Sequence, residues 1–121
     1  MNQIGIPNLD KKLEASLIAD MIKVEELMRS HIQGDYPLVV ETSRHLVEAG
    51  GKRLRPLLTL IAAQFGDPTN HDIIKAAVCC ELTHLATLYH DDVMDDAVLR
   101  RGVISANKKW NNAVAILTGD Y

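Results

Sequence analysis

Leu9, Leu13, Leu17, Met21, Val24, Leu27 and Met28 recur every three or four residues with charges between them. That spacing puts the apolar side chains on one stripe and predicts an amphipathic helix over roughly 9–33. Gly34-Asp35-Tyr36-Pro37 breaks it, and a shorter helix over about 37–48 follows, stopped by Gly50-Gly51. Pro56 suits the first turn of a third helix over roughly 55–66, which Gly66-Asp67-Pro68 closes. Asn70 or His71 opens the longest and most apolar helix, roughly 71–95. Ile73, Ile74, Ala76, Ala77, Val78, Cys80, Leu82, Leu85, Ala86 and Leu88 leave its first part almost without a polar face, so it needs neighbours on all sides. A polar loop with Arg100-Arg101-Gly102 comes next, and a last helix starts near Ser105 and runs through Val114-Ala115-Ile116-Leu117. The pattern is all-α and forms one helical unit over residues 1–121, with no repeat or linker. So apolar a central helix in so short a chain, ending abruptly after an apolar run, leads us to expect the N-terminal fragment of a larger bundle.

Composition narrows the class. Apolar residues make up 47% and charged ones 24%, which suits a soluble globular chain and not a disordered one. A net charge of −3 and only 4% aromatic residues speak against nucleic acid as a partner. No apolar run is long enough to span a membrane and no signal segment opens the chain, so the expected location is cytoplasmic. Cys79 and Cys80 are adjacent, point about 100° apart on a helix and form no disulfide framework.

The candidate chemistry lies in two clusters. Asp91-Asp92-Val93-Met94-Asp95-Asp96 places four carboxylates at the end of the apolar helix. Asp91 and Asp95, like Asp92 and Asp96, share a face at i and i+4, where like charges repel. The negative end of the helix dipole aggravates this. Such crowding calls for a cation, and a hard, oxygen-loving one such as Mg²⁺ suits it. Asp91, Asp92 and Asp95 can converge beyond the helix, and Asp96 is the least secure member. The second cluster, Gly50-Gly51-Lys52-Arg53-Leu54-Arg55-Pro56, presents cations at a tight turn before a helix N-terminus, a composition suited to phosphate. Arg100-Arg101 adds a second cationic pair, whose plain alternative is ion pairing with Asp95 or Asp96. His84 and His90 sit in the apolar helix; His84 lies two turns before Asp91, roughly on its side, and could donate to an anion.

Together these residues resemble the trans-isoprenyl (polyprenyl) diphosphate synthases. The likeness runs from about residue 37 to the end and rests on three elements in order: Gly50-Gly51-Lys52-Arg53-Leu54-Arg55-Pro56, Asp91-Asp92-Val93-Met94-Asp95, and Arg100-Arg101-Gly102. The resemblance implies the N-terminal part of an isoprenoid synthase-type helical bundle. It also implies head-to-tail condensation of isopentenyl diphosphate with an allylic diphosphate. Asp91, Asp92 and Asp95 would hold Mg²⁺ on the allylic diphosphate and Arg100 would clamp it. Lys52, Arg53, Arg55, His84 and Arg101 would hold isopentenyl diphosphate. No protein nucleophile is required for this chemistry, and no catalytic nucleophile or base is apparent. Bulky aromatics one turn before the aspartates floor the pocket in short-chain members of the family. Ala86 and Thr87 stand there in this chain, so a medium- or long-chain product is expected. A homodimer is implied by the same likeness. The family's second aspartate-rich motif is absent, so this chain alone is expected to be inactive. Rival readings are a non-catalytic small subunit of a two-component synthase, a metal phosphohydrolase built on His90-Asp91, and a terpene cyclase, which would share the aspartates but not the basic clamp.

Overall fold

A computed structural model describes residues 4–121. Its described elements run α1 Lys11–His31, α2 Pro37–Glu48, α3 Leu54–Ala63, α4 Asp72–Met94, β1 Leu99–Arg100, β2 Val103–Ile104, α5 Ala106–Lys109 and α6 Asn112–Asp120. The four long helical stretches stand where the apolar periodicity puts them, with ends set by local chemistry. Asp10 starts α1 two residues later than the periodicity suggests, because its carboxylate accepts from the amides of Lys12 at 3.1 Å and Leu13 at 3.0 Å. Pro37 opens α2, and Asn70 caps α4 by accepting from the Asp72 amide at 2.9 Å.

Two features depart from expectation. The loop after the aspartates is a small antiparallel hairpin, with Leu99 opposite Ile104 and Arg100 opposite Val103. Arg101 and Gly102 turn it with φ of 53° and 78°, and positive φ at both central residues is the mark of a type I′ turn. The last helix is broken in two at Trp110. Asn111 restarts it by accepting from the Val114 amide at 2.8 Å.

The chain divides into two compact units. The first comprises residues up to Met28 and Arg53–Glu81. Its buried apolar residues include Leu17, Val24 and Met28 of α1, Leu57 and Leu60 of α3, and Ala77 and Val78 of α4. The stretch read as needing cover on all sides is covered on one: Ala76, Cys79 and Cys80 are exposed.

The second unit comprises Arg29–Lys52 and Leu82–Tyr121, with α6 packed on α2 and α5. Leu46, Val47, Leu85, Leu88, Tyr89, Ala106 and Ala115 are buried there. Gly119 permits the approach of α6 to α4. A Cβ at Gly119 would lie 2.6 Å from Cδ2 of His90 and 3.0 Å from the Ala86 carbonyl. Among the described residues no helix is long and apolar enough to cross a membrane.

Candidate active site

The aspartate cluster is where α4 stops, and the manner of stopping sorts its members. Asp95 donates its amide to the Asp91 carbonyl at 2.8 Å, Asp96 to Val93 at 3.3 Å, and Ala97 to Asp92 at 2.9 Å. Asp96 has φ of 49°. The paired bonds across a left-handed residue form a Schellman motif, with Asp96 in the position usually taken by glycine. Asp96 therefore leaves the helical stripe on which i, i+4 pairing with Asp92 was expected. Its carboxylate pairs instead with Lys108 Nζ at 2.6 Å.

Asp92 turns inward and is 1% exposed. Its Oδ1 accepts from Arg100 Nε at 2.8 Å and Nη2 at 2.5 Å. The partner of Arg100 is thus Asp92, not the Asp95 or Asp96 suggested by nearness in sequence. The Asp92 hydrogen bond raises the Arg100 pKa above its ordinary value; burial opposes this, while the charges of Asp92, Asp91 and Asp95 add to the rise. Asn107 Nδ2 donates to the carbonyls of Asp92 at 3.3 Å and Ala97 at 3.1 Å, and Ser105 Oγ donates to Ala97 at 2.6 Å. Sequence reasoning passed over both, since single Asn and Ser residues carry no pattern.

The other oxygen of Asp92, Oδ2, is buried without a hydrogen-bond partner. An ionised carboxylate oxygen out of water without a donor is costly unless a cation or donor reaches it. Asp91 is half-buried and Asp95 exposed. Among the described residues no three His, Cys, Asp or Glu side chains converge closely enough to hold a metal by themselves, so the expected three-carboxylate cluster is not preassembled. The donor set still fits Mg²⁺, which commonly takes one or two carboxylates and completes its shell with water and phosphate oxygen.

Arg101 is bound to the end of α2. Its Nη1 donates to the Leu46 carbonyl at 3.2 Å and to the Gly50 carbonyl. The guanidinium lies so close over Gly51 that a Cβ there would be 2.9 Å from its Cζ. With φ of 151°, Gly51 is a position where glycine is needed twice over. Lys52 and Arg55 are exposed, and His84 is half-buried. Arg53, expected beside them, is 6% exposed and faces Glu25 and Glu81.

Two residues before Asp91, Tyr89 is buried, and its hydroxyl donates to the Thr42 carbonyl at 2.5 Å and accepts from the Leu46 amide at 3.2 Å. Burial pushes its phenol up to about 12, against the Leu46 hydrogen bond and the Arg101 charge. Ala86 lines a cavity of about 170 Å³ together with Ile32, Val47, Leu82, Leu85 and Tyr89. Thr87 does not line it; it is exposed, and its hydroxyl returns to the His84 carbonyl at 2.6 Å. His90 is turned to α6, with Nε2 3.0 Å from the Ile116 carbonyl and 3.2 Å from Asp120 Oδ1.

The family model described as polyprenyl synthetase matches residues 36–121. The chain belongs to that family. As a polyprenyl synthetase chain it is 42% identical over 119 residues to heptaprenyl diphosphate synthase component 2 of Bacillus subtilis, covering 98% of this chain and 34% of the relative. It is 45% identical over 118 residues to nonaprenyl diphosphate synthase of Mycobacterium tuberculosis, covering 97% and 35%. Among solved structures it matches polyprenyl synthase of Caulobacter crescentus, determined with calcium and isoprenyl diphosphate. That match has a TM-score of 0.83 at 42% identity and covers 89% of this chain and 33% of that one. Heptaprenyl diphosphate synthase of Staphylococcus aureus matches at TM-score 0.83 and 39% identity, covering 86% and 33%. The chain therefore spans about a third of the length of the curated relatives it matches. The isoprenoid synthase-type helical fold expected of it is the fold of these neighbours. The family membership leaves the phosphohydrolase reading of His90-Asp91 without support.

Proposed function

We propose that this chain is the part of a Mg²⁺-dependent polyprenyl diphosphate synthase that carries the first metal site and the isopentenyl diphosphate clamp. The enzyme would condense isopentenyl diphosphate head-to-tail with an allylic diphosphate. The observation that carries this reading is the Asp92–Arg100 pair at the end of α4, with Asp92 Oδ2 buried and unpartnered beside it. Asp91, Asp92 and Asp95 are the residues that would hold Mg²⁺. The ion supplies neutralisation of a departing diphosphate when bound. Arg100 adds a charge-assisted hydrogen-bond donor for the same diphosphate, and Asp92 orients it. Lys52, Arg55, His84 and Arg101 are assigned to isopentenyl diphosphate. Loss of diphosphate would leave an allylic cation, the isopentenyl double bond would attack its C1, and the resulting cation would pass a proton to the released diphosphate. The cation requires a dry surround, and the apolar lining of the cavity beside Ala86 favours one. The medium- or long-chain product expected from the small side chain at Ala86 is part of this reading. The reading carries with it a cytosolic location and a homodimer.

One experiment separates this from the reading as a partner component. The chain is assayed with Mg²⁺, isopentenyl diphosphate and an allylic diphosphate, alone and as a chimera replacing the matching third of the Mycobacterium tuberculosis relative. We expect no turnover alone and polyprenyl product from the chimera. A chimera that folds and binds both substrates without turnover would refute the catalytic reading. Turnover by the 121-residue chain alone would refute the assignment of a part.

A further inference from the structure

Arg53 is held in a way that a diphosphate ligand is not. It opens α3 with φ of 51°, a left-handed conformation that costs a residue with a Cβ about 1 kcal/mol or more and persists only where the surroundings enforce it. The enforcement is visible within the first unit. Arg53 Nε donates to Glu25 Oε1 at 2.5 Å and Nη2 to Glu25 Oε2 at 3.5 Å, while Nη1 donates to Glu81 Oε1 at 3.2 Å. Its side chain is 5% exposed and that of Glu81 2%. All three guanidinium nitrogens thus face carboxylates, one on α1 and one on α4. Two carboxylates already face this one guanidinium, and a diphosphate brought there would meet like charge at close range. Lys52 and Arg55, on either side of it in sequence, are exposed.

We infer that Arg53 is a positioning residue of the basic turn: it locks the start of α3 to Glu25 and Glu81, so that Lys52 and Arg55, and not Arg53, meet the anion. This rests on the proposed diphosphate reading of the turn, and it removes Arg53 from the expected ligands. A direct ligand and a positioning residue respond in opposite ways to loss of Glu81. Removing a carboxylate near an anion site strengthens binding by charge alone. Removing the anchor of the turn weakens it.

The test is a double-mutant cycle on the whole chain, with inorganic pyrophosphate as the probe and calorimetry as the readout. Each variant is compared at a temperature where its helicity equals that of the unaltered chain. Glu81→Gln, Arg53→Met and Arg53→Lys should each weaken pyrophosphate by about tenfold, and the Arg53→Met/Glu81→Gln pair by no more than either alone, since coupled residues are not additive. Lysine should not rescue, because a single ammonium cannot span both carboxylates. Unchanged or tighter binding in Glu81→Gln, or binding as tight as the parent in Arg53→Lys, overturns the assignment. Should Arg53→Met fail to fold, the Glu81→Gln and Arg53→Lys arms decide. If the unaltered chain binds no pyrophosphate, the diphosphate reading of the turn fails by itself. The anchoring role is then decided by the Arg53 Hε resonance, which must be protected from exchange in the parent and lose protection in Glu25→Ala, since Nε donates to Glu25. A fast-exchanging Hε in the parent sinks it.

Discussion

Replacing Tyr89 with phenylalanine removes one oxygen and tests how α4 is tied to α2. The Tyr89 hydroxyl sits between the Thr42 carbonyl, 2.5 Å away, and the Leu46 amide, 3.2 Å away. Those two backbone groups are an i, i+4 pair of α2. A buried donor or acceptor stripped of its partner costs about 1–3 kcal/mol, whereas a typical hydrogen bond contributes about 1 kcal/mol net. Here the two stranded groups can bond each other, so the smaller figure applies, and Tyr89→Phe should cost about 1 kcal/mol at neutral pH. With unfolding entropy of about 2.1 cal/mol/K per residue over 121 residues, the melting midpoint should fall by about 4 °C. The pH dependence sharpens the test. Burial raises the phenol from its ordinary value of 10.0 to about 12 in the folded chain. A folded pKa above the unfolded one means that the contribution is complete below pH 10 and is lost as the pH climbs towards 12, because the unfolded chain ionises first. Two pH units at about 1.4 kcal/mol each make that loss about 3 kcal/mol. Phenylalanine has nothing to ionise. The denaturant-derived stabilities of parent and variant should therefore converge above pH 10 and cross near pH 11, other titrations cancelling in the difference. Curves that stay parallel to pH 11.5, or a neutral-pH loss above about 3 kcal/mol, would show that the hydroxyl is not placed as described.

Three further outcomes follow from the same geometry. Gly119→Ala gains about 1 kcal/mol of helix propensity but drives a methyl into the His90 ring and the Ala86 carbonyl, at an overpacking cost of about 1–3 kcal/mol. A lower melting midpoint is expected, and a higher one would contradict the close approach of α6. Asp96→Gly relieves a left-handed aspartate worth about 1 kcal/mol and gives up only an exposed pair with Lys108. The variant should melt higher by a few degrees with Mg²⁺ affinity unchanged, and a fall in Mg²⁺ affinity by calorimetry would return Asp96 to the metal site. Ala86→Phe should fill the cavity of about 170 Å³ and shorten the products of the chimeric enzyme, read by chromatography of the released alcohols. An unaltered product distribution would mean that the tail does not pass Ala86.

Much of the architecture was legible in the chain. Three-to-four-residue apolar spacing placed the long helices, and Pro37, Gly50-Gly51 and Asn70 marked where they begin or stop, because these effects act within one turn of backbone. The acidic and basic clusters were legible too, since composition and order alone carry them. The hairpin was missed because arginine is an uncommon first residue for a two-residue turn. The break at Trp110 was missed although Asn111 is a good cap.

What tertiary structure decided was the role of each charged residue within a cluster. The sequence listed Asp91, Asp92 and Asp95 as near-equals, with Asp96 the least secure. Packing buries Asp92 on Arg100, makes Asp96 the left-handed cap of α4, and leaves Asp91 half-buried and Asp95 exposed. It listed Arg53 with Lys52 and Arg55, yet Arg53 turns inward because Glu25 and Glu81, each 28 residues away, meet it there. Glu81 did leave a trace, as the lone acidic residue in the apolar stretch of α4, but no spacing rule connects it to Arg53. Periodicity reports which face of an element seeks an apolar neighbour. Which charge meets which depends on contacts between elements distant in sequence, and those exist only once the helices have packed.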